Sequence, residues 1–120
     1  MNHHFAIPVS VDEWPESLAR KAADFHLDRA EHEAEEGRDA NARSHRQAAD
    51  LHVRASFYFQ RARRSSDDGK SAHADDHLKR GKGLILDAID LCHREGIEAP
   101  EGLHNTLGVS RGEGTKVGGF

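Results

Sequence analysis

Residues 35–39 read Glu35-Glu36-Gly37-Arg38-Asp39, and residues 67–71 read Asp67-Asp68-Gly69-Lys70-Ser71. Each stretch ends one helix and begins another. Glycine lacks a Cβ, so it takes the left-handed backbone that closes a helix at low cost. Asp39 and Ser71 are the expected N-caps of the helices that follow. Between the two breakers, Ala48, Leu51, Ala55, Tyr58 and Ala62 recur at alternating spacings of three and four, a heptad seam. One unbroken helix is therefore expected between them, with Phe57 and Phe59 widening its apolar face toward the C-terminal end.

The same reading extends in both directions. Upstream, Trp14-Pro15 suits a first helical turn, where the N–H that proline lacks would be unpaired anyway. Leu18, Ala22 and Phe25 give that helix an apolar face. Downstream, Leu78, Leu84, Ile85, Ala88, Ile89, Leu91 and Cys92 mark a third helix, which Gly96 and Pro100 end. Gly81 and Gly83 lie inside it at about 1 kcal/mol each relative to alanine, so they should mark a bend or a close approach. The expected fold is all-α: an antiparallel three-helix arrangement over residues 15–96, an extended N-terminal arm over 1–14 and a Gly-rich C-terminal tail over 97–120.

Residues 23–45 align with 55–77 at an offset of 32, since 55 − 23 = 32. Ala23/Ala55, Phe25/Phe57, Arg29/Arg61, Ala30/Ala62, Gly37/Gly69, Ala40/Ala72, Ala42/Ala74 and His45/His77 are identical. The unit resembles the tetratricopeptide-type helical hairpin over residues 22–85. The two acidic-glycine stretches look like its inter-helix turn. Ala30, Ala42 and Ala49, with Ala62, Ala74 and Gly81 in the second copy, fall where that family places small residues. The chain departs from the pattern in its period of 32 rather than about 34, in lacking a proline that closes each unit, and in the unbroken helix over 48–62. The resemblance implies hairpin packing and, at most, a protein-binding role.

Composition narrows the function classes. Only 36% of the 120 residues are hydrophobic and the net charge is −4, so a thin, Ala-rich core is expected, and a globally basic nucleic-acid binder is not. Self-association would enlarge such a core. Ten acids fall between Asp12 and Asp39; six arginines and one acid fall between Arg43 and Arg64. An acidic helix beside a basic one favours antiparallel pairing. A single cysteine, Cys92, excludes an intramolecular disulfide and fits a reducing compartment. No apolar run approaches membrane-spanning length, and residues 1–5 lack signal-peptide features. The expected location is cytoplasmic, or within a virion.

Candidate chemistry is sparse. His73 and His77, four apart on one helical face, and His45, the repeat partner of His77, are the metal-ligand candidates. Antiparallel packing should place His45 and His77 at opposite ends of the bundle. Most of the ten histidines are expected at the surface, satisfied by water and neighbouring carboxylates. His45 and His52, seven apart, share a face. Cys92 and His93 diverge by about 100° around a helix and form no dyad, so Cys92 is read as a buried structural thiol. Arg61, Arg63 and Arg64 beside Phe57, Tyr58 and Phe59 read as a solvated helix end rather than a nucleic-acid patch. No enzyme and no cofactor are expected.

The ends carry the functional expectation, and two readings of them stand side by side: they wrap their own bundle and cover its seam, or they dock on neighbouring subunits. Phe5, Ile7, Val9, Val11 and Trp14 in the arm, with Leu107, Val109, Val117 and Phe120 in the tail, are the candidate partner-binding residues. The expected partners are protein subunits of a larger assembly, homo- or hetero-oligomeric, with neither membrane nor nucleic acid. By analogy with small armed helical subunits of phage particles, the expected role is a non-enzymatic structural or adaptor protein of a virion head or connector. Two alternatives are a His-rich transition-metal-binding bundle, and a small acidic inhibitor, such as a phage anti-defence protein, using Glu31, Glu33, Glu35 and Glu36.

Overall fold

The computed structural model describes residues 14–109. The fold is all-α, with three long helices packed against one another. Helix α1 spans Pro15–Glu35, α2 Asp39–Asp67, α3 Ser71–Glu95, and a short α4 Glu101–Thr106. At 1.5 Å per residue the long helices run roughly 32, 44 and 38 Å.

The two turns are copies of each other. Gly37 has φ 82° and Gly69 φ 77°. Arg38 and Lys70 follow with φ/ψ of −94°/71° and −98°/71°. Arg38 N–H donates to the Glu33 carbonyl at 2.8 Å, and Lys70 N–H to the Ser65 carbonyl at 2.8 Å. The offset of 32 residues read from sequence is thus a repeat of backbone geometry. The cap positions shift by one residue: Arg38 and Lys70 occupy them without a side-chain cap bond, and Asp39 and Ser71 are already helical. Each glycine turn sets the helix entry through backbone bonds, so no capping side chain is used.

Helix α2 is central, with α1 and α3 packed along it. Ala19, Ala22, Ala23 and Ala30 of α1 and Ala42, Ala48, Ala49 and Ala55 of α2 are 0–2% exposed. These small side chains allow close helix approach. The larger apolar mass sits toward the Leu18 end, where Leu18, Phe59, Ile85, Ile89, Leu107 and Val109 form one cluster. Phe59 is buried, but Phe57 is 51% exposed; only one of that pair faces the core, because neighbours two apart on a helix point nearly opposite ways.

Over residues 97–109 the chain stays on the bundle instead of forming a separate tail. Gly96 takes the left-handed conformation (φ 66°), α4 forms, and Leu107 and Val109 are buried at 8% and 3%. Among the described residues no helix is long and apolar enough to cross a membrane.

A buried row of imidazoles as the candidate functional site

Among the described residues, four histidines lie in the interior. His26 and His52 are 0% exposed, and His45 and His104 are 2% exposed. This corrects the expectation of surface histidines. Each of the three on α1 and α2 has alanines one helical turn away: Ala22, Ala23 and Ala30 around His26, Ala42, Ala48 and Ala49 around His45, and Ala48, Ala49 and Ala55 around His52. Alanine stripes draw the helices close, and the imidazoles occupy the remaining space. His104 enters from α4.

The rings follow one another in space. Centroids are 5.1 Å apart for His45–His26, 5.2 Å for His26–His52 and 5.0 Å for His52–His104. Their hydrogen bonds constrain the tautomers. His52 Nδ1 is 2.7 Å from the Ala48 carbonyl, an acceptor only, so this nitrogen carries the proton and donates. His52 Nε2 is then a lone pair, and His104 Nε2–H donates to it at 2.8 Å. The other pair meets Nδ1 to Nδ1, His26 with His45, at 2.9 Å. Cys92 Sγ lies 3.8 Å from His26 Nε2. If His26 donates to His45, its Nε2 accepts from the thiol; if His45 donates, His26 Nε2–H points to sulfur. Both orders satisfy every one of these contacts.

Burial keeps the row neutral. Desolvation, followed by the charges that His52, His45 and His104 would carry, lowers His26 to about 3. Desolvation and then His52 lower His104 to about 4. His45 and His52 are lowered chiefly by burial. The Cys92 thiol is raised to about 11 by burial, so its protonated form is favoured at neutral pH.

A charged group sits at the His45 end. Glu33 of α1 accepts from Arg38 Nε at 3.0 Å and Nη2 at 2.7 Å, and from Asn41 at 3.0 Å. These bonds hold its carboxyl down at about 2, with Arg38 contributing most. Glu33 is therefore committed to the α1–α2 turn and is not part of an outward acidic face. At the other end, His104 lines a cavity of about 280 Å³ with His93 and Glu101 on its wall.

The metal candidates are dispersed. His45 is sealed against His26; His73 is exposed; His77 is partly buried beside Tyr58 at 6.2 Å between centroids, with its Nδ1 lacking a partner. Among the described residues, no three His, Cys, Asp or Glu groups are placed to hold a metal ion. Of the partner-binding candidates, Leu107 and Val109 belong to the chain's own core. Trp14 is half-buried under the Arg63 guanidinium, 4.3 Å from its ring centroid, and Arg63 also pairs with Glu16 at 2.5 Å across α1 and α2. Phe5, Ile7, Val9, Val11, Val117 and Phe120 lie outside the described residues.

Sequence reading missed His26 and His104 and treated His52 only as a face-mate of His45. The available signal was a histidine flanked by alanines at both i−4 or i−3 and i+3 or i+4, which puts an imidazole inside a packed stripe. Comparison with known protein families, curated proteins and solved structures finds no match to this chain.

Proposed function

We propose that the protein is a non-enzymatic docking subunit, a hairpin stack that offers its helical surface to protein partners in a larger assembly. The setting proposed is a phage head or connector, in a homo- or hetero-oligomer. The observation that supports this reading is the division between interior and surface. The groups with catalytic potential at the bundle's centre, four imidazoles and one thiol, are buried and bonded to one another, with only His104 bordering a small cavity. What faces solvent is a broad α2–α3 groove of about 700 Å³ with Leu51 and Leu91 at its base. Arg46 and Arg94 line it together with Asp50 and Asp87. Such mixed charge over an apolar base gives a partner orientation as well as contact area.

Light scattering on the purified chain, from micromolar to millimolar, tests the oligomeric part of the reading. Concentration-dependent assembly weakened by Arg46→Glu with Asp87→Lys is the expected result. A monomer at every concentration that also stays unchanged beside co-expressed neighbouring gene products would defeat it.

A further inference from the structure

We infer that the His52–His104 imidazole pair is an acid-operated latch: it keeps α4 and the Leu107–Val109 turn closed over the bundle at neutral pH and releases them on protonation. The inference stands apart from the docking reading and survives its failure.

Helix α4 has six residues, too few to hold themselves in water. Its backbone hydrogen bonds stay within the segment: Leu103 and His104 donate to Pro100, Leu107 to Leu103, Gly108 to Asn105, and Val109 to His104. Attachment to the bundle therefore rests on side chains. Leu107 and Val109 supply apolar contact with Leu18, Ile85 and Ile89. His104 supplies a polar tie to α2, its ring within 4° of parallel to that of His52.

The tie loosens in a defined way. His52 Nδ1–H is committed to the Ala48 carbonyl, so the positions open to added protons are His104 Nδ1 and the nitrogen pair between the rings. A first proton leaves one N–H···N bond in place but puts a charge in a buried site. A second sets two charged rings side by side, with two N–H groups facing each other across 2.8 Å. The surroundings offer little relief. His26 of α1 lies 5.2 Å from His52, ring to ring, with His45 behind it and the Cys92 thiol of α3 against it; none is an anion. His93 of α3 and Glu101 of α4 border the cavity beside His104. Glu101 is exposed and is the one carboxylate among the described residues on that wall. Opening returns both rings to water, where an imidazole titrates near 6.5. The Gly96–Pro100 connector carries the hinge, and release uncovers the Leu18, Ile85 and Ile89 face.

From about pH 7.5 to about pH 5.5, the opening equilibrium of α4 should rise about ten-fold for each ring that charges, hence up to about a hundred-fold for the pair. Amide hydrogen exchange of the intact chain, corrected for intrinsic rates, reads this directly. The expected result is that Leu103–Val109 amides lose ten- to hundred-fold protection while Ala48–Ala55 amides keep a higher level. The double variant His52→Leu with His104→Leu should abolish that segment-specific loss. Should the double variant not fold, ring nitrogen shifts of the wild-type chain take its place: His52 Nε2 and His104 should gain protons in step with the loss of α4 protection. Unchanged α4 protection, loss only in step with α2, a wild-type response in the double variant, or rings that stay neutral while α4 opens would each overturn the latch.

Discussion

At Gly81 the α2–α3 interface has no room for a methyl group. A Cβ built there would lie 2.6, 2.8 and 3.0 Å from three ring carbons of Phe59, whose side chain is 2% exposed and so has nowhere to go. Two residues on, Gly83 would meet nothing within 4 Å. The same substitution should therefore have opposite signs. Gly83→Ala should stabilise by up to about 1 kcal/mol through helix propensity alone. Gly81→Ala gains that same term and loses about 1–3 kcal/mol to overpacking, for a net destabilisation that Phe59→Leu in the same background should relieve. Urea unfolding of the two single variants checks this; equal effects would show that the Phe59 contact does not constrain α3. The sequence marks both glycines as exceptions inside a helix, but it cannot say which one faces an aromatic ring. That depends on the rotation of α2, and the heptad reading from Ala48 through Tyr58 set it slightly off: Tyr58 is half-buried and Phe59 is the ring in the core. The same offset hid the site. Reading α2 by its apolar residues alone skips His45 and His52, although the buried stripe runs Ala42, His45, Ala48, Ala49, His52, Ala55, Ser56, Phe59 and Ala62. Polar residues are ordinarily excluded from a core; here they are admitted because they bond each other.

The helix boundaries were the most legible elements, because glycine does something at 37, 69 and 96 that other residues do only under strain. Gly37 and Gly69 have φ of 82° and 77° with open space where a Cβ would lie, so replacing either by alanine imposes backbone strain and no clash. Each substitution should cost about 1–2 kcal/mol. Because the two turns share one geometry, the costs should be equal within error, and because they sit at opposite ends of α2 they should add in the double variant. Denaturant titration of the three variants tests the claim; a cost at one turn only would mean that the duplicated turns carry unequal strain. Helix α4 was the least legible element. The glycine content of residues 97–120 reads as an unstructured tail, and six residues make too short a window for periodicity to register. In retrospect Pro100-Glu101 is a helix start, and Leu103 and Leu107 lie one turn apart flanking His104. The information needed was a partner for His104, which resides on α2, 52 residues away.

For the whole molecule, the buried row makes stability a function of pH. His26, held at about 3 in the folded chain, titrates near 6.5 when unfolded, as does His104, held at about 4. Below about pH 6.5 the unfolded chain takes up protons that the folded chain refuses, so stability is complete above that pH and falls as pH drops. The loss for each ring levels off only below its folded value. Glu33 behaves differently in its window: its carboxyl is depressed from 4.5 to about 2, so its contribution is present above about 4.5 and is lost only in stronger acid. Between roughly pH 6.5 and 4.5 the decline therefore belongs to imidazoles. His26 and His104 each contribute a slope approaching about 1.4 kcal/mol per pH unit over much of that window, and His45 and His52, lowered in the same direction by burial, add to it; a domain's total stability is typically about 5–15 kcal/mol. The rings together should thus unfold the chain in acid. Circular dichroism against pH should show a midpoint above about pH 4, with net proton uptake on unfolding. Replacing His26 and His45 together by leucine should lower that midpoint and reduce the uptake, provided that the variant retains helix content at neutral pH. A chain that stays folded until carboxylates protonate would mean that water reaches the rings and that the row is not sealed.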